Sequence, residues 1–282
     1  MTASTASPTP DPAARAASSR MDTGPQIDVW LSFPDEILDP THHDRLRLLL
    51  TPEEAAQEPR FHFAHDRRRY LVTRAMLRLL LSRYAPVAPQ DWAFTKNAYG
   101  RPAIAETIAA AEPAARALRF NLSHTRGLIV LAVARGRELG VDVEHLSVRT
   151  VPFDIADRFF SPSETAELMR LPAERRQERF FEYWTFKESY IKARGMGLSL
   201  PLDGFSFDFP RPDSVRIAID PSLQDRAERW DFWQCRPTPE HMMALCVERA
   251  AAAPPVVSMR RYVPLAGDTP VTAAFARTSQ PA

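Results

Sequence analysis

FFEYWTFKESYIKARGMGLSLPLDGFSF, running from Phe180 to Phe207, is the stretch around which the rest of the chain can be arranged. It reads as a helix to Arg194, a glycine-marked exit at Gly195 and Gly197, and then a strand. Phe180, Trp184 and Ile191 share a face at helical spacing, and Phe181 and Tyr183 widen it. No glycine or proline interrupts the run, and Gly195 stands where a left-handed cap is expected. Trp184, Glu188 and Lys192 follow one another at i, i+4 and i+8, so they form one ridge. Taken alone, Glu188 and Lys192 read either as an exposed ion pair, worth roughly a few tenths of a kcal/mol, or as part of a site.

Working outward, 282 residues allow one large domain or two modest ones, and the apolar content of 45% is ordinary for a globular chain. A net charge of +1 argues against a dedicated nucleic-acid binder. Cys235 and Cys246 are too few for a disulfide scaffold or a four-cysteine zinc site, and read as core thiols in a reducing cytosol in preference to a single disulfide. No apolar run reaches membrane-spanning length. The expectation is a cytoplasmic monomer with no membrane or nucleic-acid partner. Residues 1–24 are rich in Ala, Ser, Thr and Pro, with almost no large apolar side chains, and read as a disordered extension lacking a secretory core.

The ordered chain is expected to begin at Ile27–Phe33, where Ile27, Val29 and Leu31 alternate as on a strand. Thr51-Pro52 is a helix start, and Arg67, Arg68 and Arg69 open a second long helix whose apolar stripe includes Leu71, Ala75 and Leu79. Asn97 to Pro102 reads as a turn between short extended pieces. Leu128 to Ala134 is the apolar run of a buried strand. In GVDVE after it, Val141 and Val143 point one way and Asp142 and Glu144 the other. Two carboxylates about 6 Å apart on one strand face repel by about 2–3 kcal/mol at an effective dielectric near 20. If both are partly buried, a cation must offset them, and oxygen ligands favour magnesium, calcium or manganese. SPSE, Ser161 to Glu164, has the form of a capping box, which makes Glu164 structural. Beyond Phe207, short β-like pieces alternate with proline turns.

Each half thus carries a long helix followed by a glycine-marked turn and extended pieces. The expected fold is α+β, with two pseudo-symmetric halves, each a long helix on a small antiparallel sheet. The halves span 25–134 and 135–262, with a disordered tail at 263–282.

Read together and in order, YGRP, FNLSHT, GVDVE and WTFKESYIKARGMGLSLPL resemble the 4′-phosphopantetheinyl transferases, in their larger, surfactin-synthetase-activating form. The resemblance covers roughly Arg60 to Phe207. It implies transfer of the phosphopantetheine arm of coenzyme A to a serine of an apo acyl or peptidyl carrier protein, with release of 3′,5′-ADP. Carriers of polyketide, nonribosomal-peptide and fatty-acid synthases all fall within that class. It further implies that Asp142, Glu144 and Glu188 hold magnesium and that Lys192 contacts phosphate, with Lys187 beside it. Ser123 and His124 are implied as coenzyme A contacts, and Arg101 as a nucleotide neighbour. Glu188 reads as metal ligand, base or both. The pattern departs from the family at Glu54 and Gln57, where lysines often grip the 3′-phosphate. Arg60 and Arg69, with Arg67 and Arg68, are the candidate substitutes. A magnesium-dependent phosphohydrolase and a catalytically silent carrier-binding module are the rival classes.

Overall fold

The computed structural model describes residues 26–147, 156, 158–249 and 255–279. The N-terminal extension lies outside them. The strands are β1 (Gln26–Ser32), β2 (Phe94–Lys96), β3 (Pro102–Ile104), β4 (Leu118–Thr125), β5 (Leu128–Arg135) and β6 (Leu139–His145). They continue with β7 (Phe205–Asp208), β8 (Arg216–Ile219), β9 (Trp230–Thr238), β10 (His241–Glu248), β11 (Val256–Val263), β12 (Gly267–Val271) and β13 (Phe275–Thr278). The helices are α1 (Pro40–Arg47), α2 (Pro52–Gln57), α3 (Ala64–Leu81), α4 (Glu106–Ala111), α5 (Pro113–Arg116), α6 (Pro162–Arg170) and α7 (Ala173–Arg194).

Period-two alternation builds four layers from these elements. In the first sheet, ordered β12-β11-β1-β5-β4, Trp30, Ile129, Leu131 and Val133 face α3, joining Leu71, Ala75 and Leu80 in one core. The alternate residues Ile27, Val29, Leu128, Val130 and Ala132 face the second sheet, ordered β13-β9-β10-β6. There they meet Val141, Val143, Met243 and Leu245. The far face of the second sheet, with Phe232, Met242, Ala244 and Cys246, packs on Phe186, Tyr190 and Ile191 of α7. The order is therefore helix, sheet, sheet, helix. The α+β class and the pairing of one long helix with each sheet agree with the sequence.

Three details differ from expectation. In the first sheet β1 pairs with β11 in parallel, so that sheet is mixed. Residues 256–262, assigned to the second half, return to the sheet of the first as part of β11. The tail expected to be disordered instead supplies β12 beside β11 and β13 beside β9. These edge strands bury little apolar surface. Backbone pairing and ion pairs such as Arg83–Asp268 (2.7 Å) and Arg277–Glu182 (2.7 Å) hold them, and neither leaves a compositional mark. Helix α7 also starts seven residues before Phe180, at Ala173, and ends as read, with Gly195 left-handed at φ +67°.

Two contacts position the site. Helix α7 lies directly on β6 at Gly140, where a Cβ would fall 2.0 Å from the Ser189 carbonyl oxygen and 2.4 Å from the Ala193 nitrogen. The free edge of β6 meets the free edge of β4 without a backbone ladder. Asn121 Oδ1 accepts from the Val141 amide (2.9 Å) and Ser123 Oγ from the Val143 amide (3.3 Å). Side chains of one sheet thereby satisfy amides of the other, which buried backbone requires.

Replacing Gly140 by alanine should lower unfolding free energy by about 3 kcal/mol or more, because both clashing atoms are helix backbone and cannot swing aside. Urea denaturation of Gly140→Ala checks this; a stability within about 0.5 kcal/mol of the parent would show that α7 does not rest on β6.

Candidate active site

The two valines of GVDVE bury themselves between the sheets, so the pleat turns Asp142 and Glu144 toward α7. The helical ridge answers from the other side. Lys192 Nζ donates to Asp142 Oδ1 at 2.6 Å and to Ser123 Oγ at 3.0 Å, and Ser123 Oγ donates to Asp142 Oδ1 at 3.0 Å. With the Val143 amide added, the Ser123 hydroxyl uses its one proton and both lone pairs inside the protein. Trp184, first on the ridge, donates its indole N–H to Glu144 Oε1 at 3.0 Å. The neighbouring acids thus have different donors, which offsets the repulsion expected between them. Lys192 reaches across to β6, so the reading of an exposed Glu188–Lys192 pair does not describe this helix.

Glu188 is left over. Half-buried among these groups, its carboxylate has no hydrogen-bond or ion-pair partner among the described residues. Desolvation, followed by the charge of Asp142 and then Glu144, pushes its pKa up to about 7 against the pull of Lys192. The Oδ2 atom of Asp142 is likewise buried without a partner among the described residues. Among those residues no three His, Cys, Asp or Glu side chains gather as a metal-binding group. Of the expected Asp142, Glu144 and Glu188 set, Asp142 is held by Lys192 and Glu144 by Trp184.

Glu188 and Lys192 line a cavity of about 260 Å³ together with Asn121, Arg101, Gly195, Gly197 and Tyr99. Arg101 forms part of its rim. It donates to the Ala193 carbonyl (2.9 Å), pairs with Glu138 (2.8 Å), and so caps the end of α7. Asn97 ties the β2–β3 turn to the same exit, donating to the Gly195 carbonyl at 2.7 Å.

A second cavity, also about 260 Å³, lies between α3 and β4 and holds His124 with Arg69, Tyr70 and Arg74. His124 is exposed by area, yet crowding by the cavity wall, and then Arg69, lowers its pKa below the usual imidazole value. Arg69 itself pairs with Asp66 at 2.6 Å.

Two candidates stand elsewhere. Arg60 is exposed beside Gln57 (3.3 Å), outside the linings of both cavities. Lys187 points away from the cleft into the core, where it meets Glu164 at 2.9 Å with neither side chain exposed. One residue along a helix turns the side chain by about 100°, so Lys187 and Glu188 cannot share a site face. Burial lowers the Lys187 pKa, and Glu164 opposes that shift. Glu54 explains the departure near α2: it closes the Thr51 capping box and pairs with buried Arg78 at 2.9 Å. Asn121 escaped the sequence reading, although Asn-x-Ser on a strand already places both side chains on one face.

Comparisons with known proteins identify the family. Residues 39–136 match the family described as 4′-phosphopantetheinyl transferase, N-terminal, and residues 138–246 the 4′-phosphopantetheinyl transferase superfamily. The chain is 32% identical over 205 residues to the 4′-phosphopantetheinyl transferase HetI of Nostoc sp., covering 72% of this chain and 80% of that one. It is 30% identical over 194 residues to the 4′-phosphopantetheinyl transferase Sfp of Bacillus subtilis, covering 69% and 82%. The chain belongs to the 4′-phosphopantetheinyl transferase family. The crystal structure of Thermotoga maritima holo-[acyl-carrier-protein] synthase overlaps 40% of this chain and 62% of its own at 20% identity. Its TM-score of 0.33 is too low to add to the assignment. No helix among the described residues is long and apolar enough to cross a membrane.

The unpaired carboxyl has a pH signature. A carboxyl whose folded pKa lies above its unfolded value binds its proton more tightly when folded. Its contribution is therefore favourable at low pH and is lost as pH rises from about 4.5 to about 7. Glu188→Gln should be more stable than the parent by about 2–3 kcal/mol near pH 8 and nearly equal to it near pH 4.5, without divalent cations. Urea unfolding at both pH values checks this, and a pH-independent difference contradicts it.

Proposed function

We propose that the chain transfers the 4′-phosphopantetheine arm of coenzyme A to a serine hydroxyl of an apo acyl or peptidyl carrier protein, releasing 3′,5′-ADP. The observation that carries this reading is the Lys192–Ser123–Asp142 cluster beside a Glu188 that has no partner among the described residues and lines the cleft between β4 and α7. In the reaction the serine oxygen bonds to the β-phosphorus of coenzyme A as the bond to the bridging pyrophosphate oxygen breaks. The electron pair leaves with 3′,5′-ADP. Such attack needs charge neutralisation and positioning more than covalent help. Lys192 supplies positive charge at the pyrophosphate. Glu188, with a pKa of about 7, is suited to take the serine proton near neutral pH. His124 and Arg69 offer nitrogen donors to the nucleotide end, and Arg101 holds the cleft rim.

Magnesium fits the donor set. It typically uses one or two carboxylates, substrate phosphate and water, and does not require a protein cage. Asp142 presents a buried, unpartnered oxygen, and Glu144 and Glu188 are the neighbouring acids. When bound, the ion would neutralise pyrophosphate charge. The buried free cysteines suit a reducing, cytoplasmic setting.

Incubation with coenzyme A, magnesium and a panel of apo carrier proteins should add one phosphopantetheine mass to at least one carrier. Release of free phosphopantetheine with every carrier unmodified would favour a hydrolase. Lys192→Ala and Glu188→Gln should each lower turnover about a hundredfold to a thousandfold, by analogy with lost transition-state donors. Parental rates in both variants under saturating conditions would remove the helix from the chemistry. Asp142→Ala should also raise the magnesium concentration required for transfer, read by titration at limiting metal; an unchanged requirement would exclude Asp142 as a ligand.

A further inference from the structure

Lys187 and Glu164 are the titratable pair that the proposed chemistry leaves unused, and both are wholly buried. The three donors of Lys187 Nζ are all taken: by Glu164 Oε2 (2.9 Å), the Leu202 carbonyl (2.7 Å) and the Phe205 carbonyl (2.7 Å). The ammonium also lies 4.2 Å from the centroid of the Phe205 ring. Glu164 accepts in addition from the Ser161 amide (2.8 Å) and the Phe207 amide (2.8 Å). One ion pair therefore joins the start of α6, the middle of α7, the segment after α7 and strand β7.

Stability alone does not account for such a pair, since a well-packed apolar replacement of a buried ion pair is often neutral or better. Its bonds do fix geometry. They set where the chain runs after leaving α7, between Gly195 and Phe205, and Gly195 and Gly197 of that run line the cleft around Lys192. They also fix the rotation and height of α7 one residue before Glu188 and five before Lys192.

The geometry points to Lys187 and Glu164 as positioning residues for the transfer step, holding α7 and the 195–205 segment in register as two walls of the cleft. This rests on the transferase reading for its kinetic arm and on the fold alone for its exchange arm.

The test is the double variant Lys187→Met/Glu164→Gln, which removes both charges together and so avoids stranding either. Intact wild-type and variant chains are compared by steady-state transfer to an apo carrier protein, by coenzyme A affinity, and by amide hydrogen exchange. The expected result is a folded variant whose kcat falls about tenfold or more while its KM for coenzyme A stays within about twofold. Amides of residues 200–207 should exchange at least about tenfold faster, with those of α3 and the first sheet unchanged. Parental kcat, equal losses of kcat and coenzyme A affinity, or unaltered exchange at 200–207 would each overturn the proposal. A variant that does not fold at all would assign the pair to the core and overturn it too. If the wild-type chain modifies no carrier, the transferase reading fails, while the exchange result still decides the positioning role.

Discussion

Everything at the site depends on how two sheet edges meet. An unpaired edge normally invites another strand or must be covered. Here β4 and β6 cover each other through Asn121 and Ser123, whose side chains take the Val141 and Val143 amides. Between those amides sits Asp142, turned by the pleat toward α7 and bonded by the same Ser123 hydroxyl. The joint between the halves and the polar centre of the cleft are thus made of the same atoms. Ser123, its proton and both lone pairs already used, is fully committed to that joint.

Charge is the second constraint. Asp142, Glu144 and Glu188 crowd around a single lysine. Partners are distributed among them: Lys192 to Asp142, Trp184 to Glu144, and a raised pKa for Glu188, which has no such partner among the described residues. Each device is a weak substitute for a cation. Glu188 is desolvated and Asp142 Oδ2 is buried without a partner among the described residues; on the proposed reading, a divalent ion with anionic substrate would complete the arrangement.

Much of this was legible in the chain. Helix α7, its glycine exit, the buried strand at Leu128 and the in-out alternation of GVDVE all follow from local periodicity, and local periodicity survives folding. Glu164 was readable as the closing residue of a capping box. What was not legible depends on partners distant in sequence. Lys187 looked like a site lysine by proximity to Glu188, but its angle on the helix sends it to Glu164. The tail looked disordered by composition, but edge strands are held by backbone pairing that composition does not record. The mixed first sheet depends on β11 returning past the whole second half, which no local signal announces.

The two helices also show why the halves are not equivalent. On α3 the charges that matter are basic. Arg78 is drawn into Glu54 and three backbone carbonyls, while Arg69 stays at the cavity beside His124. On α7 and the strand beneath it they are acidic, apart from Lys192. The cavity beside α3 thus holds Arg69, Arg74 and His124 with Asp66, and the one beside α7 holds Glu188 and Lys192. A ligand with phosphates on one part and a reacting phosphorus on another is not held symmetrically in such a field. On the proposed reading, a segment of coenzyme A accompanied by a cation suits the acids beside α7, while Arg69, already paired with Asp66, and His124, whose pKa is lowered, offer N–H donors and no net charge to the nucleotide end.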